Sequence, residues 1–195
     1  MPDPIRPQAL LEQARVLAGF GAGRGRPRTI NHRRAVSAAY YGLYHSIIGH
    51  VVQHVLPDPF ADDDDRLLAT RFINHADVNV VAKWVGGCAA PSGPVSGRPG
   101  GLPDNGVWQL FSTPASQGTR QAAVPSHLRT VVDAFPVLMD ARHAADYDHL
   151  ATFPKATAQA FVEEAEAACA ALDQNTDEPY VRRFSALVAF KARRT

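Results

Sequence analysis

Apolar positions recur at helical spacing along most of the chain, and alternating, strand-like patterns are scarce. In residues 4–19, Leu10, Leu11, Ala14, Leu17 and Ala18 return at intervals of three and four, which predicts a first amphipathic helix. The run GFGAGRGRPR (19–28) ends it. Thr29 or Asn31 can cap a second helix, which continues to about Leu56 before Pro57 and Pro59 stop it. Its segment AVSAAYYGLYHSIIGHVVQHVL (35–56) has no Lys, Arg, Asp or Glu over about the length a bilayer needs. His45, His50, Gln53 and His54 argue for a helix buried on most sides in a soluble bundle rather than a membrane span. Asp62 to Asp65 then suit the first turn of a third helix running to Trp84, where each carboxylate gains up to about 1 kcal/mol from the macrodipole. Consecutive helical positions point in different directions, so these four aspartates read as a helix start rather than a metal site.

Between Val85 and Ala123 the periodicity disappears. The segment carries eight of the fourteen glycines and five of the fifteen prolines, and reads as one irregular insertion far longer than an ordinary connection. Trp108, Leu110 and Phe111 suggest that its middle docks onto the rest of the chain. Helical pattern resumes near Pro125 through Leu128, Val131, Val132 and Phe135, with Pro136 expected to kink or restart it, and continues to about Tyr147. KATAQAFVEEAEAACAALD (155–173) is alanine-rich and helix-favouring. Asp177-Glu178-Pro179 looks like a cap followed by an early-turn proline, opening a last helix with Val181, Phe184, Leu187 and Val188 on its apolar face and Lys191, Arg193 and Arg194 at its end. The expectation is an all-α, up-and-down bundle of about five or six helices, a single domain over 1–195 with the 85–123 insertion inside it.

Composition adds limits. At 195 residues and 46% hydrophobic, the chain can bury about two thirds of its unfolded surface in one core. Two cysteines, Cys88 and Cys169, are too few for a disulfide framework, and the N-terminus lacks a signal-peptide pattern, so a cytoplasmic setting is expected. A net charge of +1 supplies no global field toward nucleic acid or membrane, so any polyanion site must be local. The basic concentration is Arg24, Arg26, Arg28, His32, Arg33 and Arg34, an arginine-rich loop feeding a helix that can grip phosphates or can equally be a solvated surface. GFGAGRG is not a nucleotide fold: no strand precedes it and no GK[ST] follows.

Several residues carry candidate chemistry. Seven helical residues rotate back to within about 20° of the start, so Arg142, Asp146 and His149 share one face if the helix persists that far. Arg142 and Asp146 at i,i+4 also make an ordinary salt bridge worth about 0.3–0.5 kcal/mol. Arg71 and His75 form a second, reserve column at i,i+4 on the third helix, able to supply the same chemistry or to join the first pair. His50 and His54 repeat a zinc-binding spacing, but no HExxH glutamate and no clear third ligand accompany them, so no metal or other cofactor is assigned. Tyr40, Tyr41 and Tyr44 read as core and dimer-contact residues before base-stacking platforms.

RRAVSAAYYGLYH (33–45) resembles the early helix of bacterial HEPN-domain proteins, and ARHAADYD (141–148) resembles the RHxADYD signature of one HEPN branch. TRFINHADVNVVAKW (70–84) is similar, more loosely, to that branch's intermediate helix. The likeness covers roughly 29–84 and 125–190, and the insertion has no counterpart in it. It implies a compact helical bundle that usually dimerises. Many members are metal-independent ribonucleases with an R-x(4–6)-H motif, and others are non-catalytic partners of nucleotidyltransferases in toxin–antitoxin or defence modules. Arg142 followed by His149 after six residues falls within that motif spacing. In a nuclease of this kind Arg142 would hold the scissile phosphate, His149 would act as acid/base, and His143 or Asp146 would orient them. One protomer holds one such pair, whereas in-line transfer needs proton traffic on two oxygens, so a homodimer facing two pairs would complete the site. The competing expectation is a non-catalytic interaction module binding a protein partner through its helical faces.

Overall fold

A computed structural model describes residues 6–21, 29–58, 61–88, 110–114, 120–122 and 124–191. Among these the chain is helical: α1 (Pro7–Ala18), α2 (Thr29–Val55), α3 (Asp63–Thr70), α4 (His75–Cys88), α5 (Ser126–Tyr147), α6 (Lys155–Gln174) and α7 (Pro179–Lys191). The only strands among the described residues are β1 (Ser112–Pro114) and β2 (Arg120–Ala122), a short antiparallel ribbon between α4 and α5.

Helix α2 is the axis of the bundle and packs against α1, α3, α5, α6 and α7. That role explains its uncharged sequence: Ala35, Val36, Leu43, Ile47 and Val51 are all essentially inaccessible, on more than one side of the helix. Phe135 from α5 and Phe184 from α7 fill the space beside it. Among the described residues no helix is long and apolar enough to cross a membrane.

Helix ends follow local chemistry. Gly19, at φ 77°, terminates α1 in a Schellman arrangement, with Gly19 N–H donating to Val16 O and Phe20 N–H to Arg15 O. The Asp62 carboxylate accepts from Asp65 N–H while Asp65 reaches back to Asp62 N–H, a reciprocal box that opens α3. Glu178, rather than Asp177, caps α7: its carboxylate accepts from Tyr180 N–H at 2.7 Å, while Asp177 pairs with Arg182.

The structure corrects three sequence expectations. The third helix does not run to Trp84 but stops at Thr70, and a new one starts at His75. Asn74 takes the Asp77 N–H on its side-chain oxygen at 2.9 Å, and Ile73 O accepts from the Tyr44 hydroxyl, so the break has its own partners. The irregular segment does not begin at Val85, because Val85 and Cys88 continue the buried face of Val78 and Val81 and hold α4 together to Cys88. Pro136 does not restart α5, which runs unbroken around it. The proline removes one N–H, but Phe135 and Leu138 on either side are fully buried, and that packing outweighs the lost bond. Of the three docking candidates in the 85–123 segment, Phe111 is buried 5.8 Å from the Tyr180 ring and Leu110 O accepts from Arg183, while Trp108 lies outside the described residues.

Candidate functional site

Two helices, α2 and α5, meet at the guanidinium of Arg142. On α5, Arg142 and Asp146 are one turn apart, with Nε 2.6 Å from Asp146 Oδ2. The Nε–H is not aligned on that oxygen, so the contact is a close ion pair rather than a directed hydrogen bond. On α2, Ser37 and Tyr41 repeat the same i,i+4 spacing and face the α5 pair. Arg142 Nη2 donates to the Tyr41 hydroxyl at 2.6 Å, and Ser37 Oγ donates to Asp146 Oδ1 at 2.5 Å. The guanidinium carbon also lies 5.3 Å from the Tyr41 ring centre and 5.4 Å from that of Tyr147, within cation–π range. Tyr41 and Asp146 therefore hold the cation directly, and Ser37 holds Asp146.

Behind this cluster sits His75, the first residue of α4. Its ring stacks on Tyr44 at 3.7 Å, and its Nδ1 is 2.6 Å from the Tyr40 hydroxyl. Burial pushes the Tyr44 phenol up to about 12 and the Tyr40 phenol higher still, so both stay protonated. Tyr40 then donates to Nδ1, which assigns the His75 proton to Nε2. Burial first, then the charge of Arg142 and the neighbouring His45 and His143, holds His75 below the usual histidine range, so it is neutral at neutral pH. The nitrogen that could accept a proton is already occupied by Tyr40.

An open groove of about 970 Å³ runs alongside, between α1, the first half of α2 and the end of α5. Tyr41 and Asp146 line it, as do Ser37, Arg33, Arg34 and His149, with Leu10 and Leu17 of α1 opposite. The expected helical column of Arg142, Asp146 and His149 is not what brings His149 here. Helix α5 ends at Tyr147 because Asp148 leaves helical backbone (ψ 108°) and its carboxylate accepts from Leu150 N–H at 2.9 Å, a local turn that outcompetes another helical residue. His149 is exposed on that turn and reaches the groove from it.

The remaining candidates separate. His143 is exposed with its ring 6.2 Å from that of Tyr147, and among the described residues no hydrogen bond joins it to Asp146. Arg71 and His75 are not one helical column, since Arg71 closes α3 and His75 opens α4; His75 joins Arg142 through the tyrosines, and Arg71 does not. Arg33 is spent on structure, its Nε donating to Ala145 O at 2.7 Å and Nη1 to Ala151 O at 3.3 Å, which ties the start of α2 to the end of α5. Arg34 is exposed on the groove and makes no ion pair among the described residues. Arg24, Arg26 and Arg28 lie outside the described residues. His50 and His54 do not form a joint ligand pair: His50 Nε2 meets Asp173 at 3.0 Å, and His54 bridges Ser185 Oγ and Thr176 O. Among the described residues no three His, Cys, Asp or Glu side chains are grouped to share a metal ion. Both cysteines are buried free thiols pushed up to about 12 by burial, which makes them unreactive.

Sequence reasoning missed Ser37, and read Tyr41 as a core or dimer-contact residue without its bond to Arg142. The signal was the matched i,i+4 spacing on two helices, Ser37/Tyr41 against Arg142/Asp146, which becomes meaningful only once α2 and α5 are known to pack together. The chain matches no family model, no curated protein and no solved structure.

Proposed function

We propose that this is a HEPN-like helical protein that cleaves RNA without a metal, using Arg142 to stabilise the phosphate and His149 to move the proton. The observation that supports this reading most is that Tyr41 and Asp146, the two groups fixing Arg142, line the same groove as His149 and the unpaired Arg34. A cation held in advance of the reaction stabilises developing phosphorane charge without reorganising, and the exposed His149 imidazole is free to reach a bound strand. In this scheme the 2′-hydroxyl attacks phosphorus as an imidazole takes its proton. The P–O5′ bond breaks, a second imidazole protonates the departing O5′, and a 2′,3′-cyclic phosphate remains. A two-fold homodimer facing two grooves supplies the second histidine. Arg34 guides the strand by its backbone, and His75 with Tyr40 keeps the tyrosine wall in position.

A second reading, a non-catalytic module partnering a nucleotidyltransferase or another protein, is favoured by Asp146 offsetting the Arg142 charge and by the exposed Phe72 and Leu68. Labelled single-stranded RNA incubated with the full chain in EDTA separates the two. Cleavage to cyclic-phosphate ends is expected, falling by about 100-fold or more in both Arg142→Ala and His149→Ala. Absence of cleavage by the wild-type protein, or undiminished cleavage in either variant, overturns the nuclease reading and leaves the module.

A further inference from the structure

A second groove, of about 700 Å³, opens further along α2, where the start of α1, the end of α3 and the end of α6 meet it. We propose that this groove binds a small organic carboxylate with an apolar body. Its volume is that of an ordinary small-molecule site, and its make-up is similar: apolar walls from Tyr44, Ile48 and Leu67 with a few convergent polar groups.

Those polar groups come from four helices and favour one kind of ligand. Arg71, closing α3, is exposed and makes no side-chain hydrogen bond or ion pair among the described residues. An unpaired guanidinium is a fork that matches a carboxylate with two parallel bonds. Gln8 and Gln53 flank the groove as neutral amides. His45, packed edge-on to Tyr44 at 5.3 Å, is kept below the usual histidine range by burial, so it offers a hydrogen bond without charge. Asp173 forms part of the far wall, paired with His50. One cation facing one nearby carboxylate tolerates a monoanion better than a phosphate dianion, since repulsion from Asp173 grows with ligand charge. Gly49, an exposed part of the lining, leaves room beside it: a Cβ built there meets nothing within 4 Å.

None of Arg71, Gly49 or Gln53 takes part in the Arg142 cluster, so the inference stands or falls separately from RNA cleavage. The test titrates 4-phenylbutyrate into the full-length protein, followed by calorimetry and by amide resonances. Binding at about 1 mM or tighter is expected, with shifts centred on Gly49 and Arg71. Arg71→Ala, an exposed change, weakens it by about tenfold or more, and Gly49→Leu occupies the space beside the helix and abolishes it without lowering the thermal midpoint. The proposal is overturned by silence at those amides up to roughly 10 mM ligand. It is equally overturned by Arg71→Ala binding as wild type does, or by phenyl phosphate binding more tightly than the carboxylate.

Discussion

Two glycines on α2 set up an opposing pair of substitutions. Gly42 is buried where α1 crosses α2, and a Cβ there would sit 2.8 Å from Leu11 Cδ2, 3.0 Å from Leu11 Cγ and 3.5 Å from the Pro7 carbonyl oxygen. Leu11 is itself only 8% exposed, so it cannot swing aside without repacking the α1 interface. Alanine gains about 0.5–1 kcal/mol over glycine inside a helix, whereas overpacking a filled interface costs about 1–3 kcal/mol. Gly42→Ala should therefore lose about 1 kcal/mol net. Gly49→Ala meets no neighbour within 4 Å and keeps the propensity gain, about 0.5–1 kcal/mol. The two identical changes, about 10 Å apart along one helix, differ by about 2 kcal/mol, and the double variant should add to within about 0.5 kcal/mol. Urea unfolding reads this as midpoints moving in opposite directions at constant slope. If Gly42→Ala stabilises as much as Gly49→Ala, α1 does not close on α2 as described. The wall that Leu10 and Leu17 give the groove lined by Tyr41 and Asp146 would then be gone as well.

Acid should weaken the fold above the range where carboxylates titrate. Burial holds His45, His54 and His75 below the usual 6.5, so the unfolded chain takes up protons first. Their contribution is complete above 6.5 and is lost as pH falls from 6.5 through the lowered folded values; Glu164, raised by burial, acts in the opposite sense as one group against three. A thermal midpoint that stays flat from about pH 7 to 5 contradicts that balance. At the α3 start, Asp62→Ala removes the carboxylate that accepts from Asp65 N–H, leaving only the Asp62 N–H bond to Asp65, and should cost about 0.5–2 kcal/mol. Because α3 buries none of its residues, the loss should show as faster amide exchange confined to α3, and unchanged exchange there would refute the capping role.

The helical content was legible because amphipathic spacing and caps are local. Leu10 to Ala18, the alanine-rich α6 and the aspartates before α3 each identified an element without reference to the rest of the chain. The break at 71–74 was not legible, because it depends on Tyr44 from another helix capturing Ile73 O and on Asn74 being a better cap than a helix interior residue. The candidate site was half visible. Arg142 and Asp146 pair as their spacing required, but the seven-residue rule for His149 assumed helix where Asp148 turns the chain. Arg71 and His75 look like a column only if the break is overlooked. His75 reaches Arg142 through Tyr40 and Tyr41, whose contacts across helices no spacing along one helix could reveal.

The uncharged character of α2 links these observations. From Ala35 to Leu56 it presents three tyrosines and three histidines but no Asp, Glu, Lys or Arg, so at neutral pH it contributes hydrogen bonds and aromatic faces while other elements supply most of the formal charge. Arg142 and Asp146 arrive from α5, Arg71 from the end of α3 and Asp173 from α6. Arg33 and Arg34 sit at the start of α2, but a charged group on its buried face from Ala35 onward would have to be desolvated among five neighbouring helices, at several kcal/mol, before it could act. Charges carried at the ends of docked helices keep part of their hydration and meet the tyrosine and histidine surface only when the bundle is assembled. The electrostatics of both grooves are therefore set by helix docking. Changes that shift α1, α3 or α5 against α2 without touching a polar residue should alter ligand affinity at the corresponding groove.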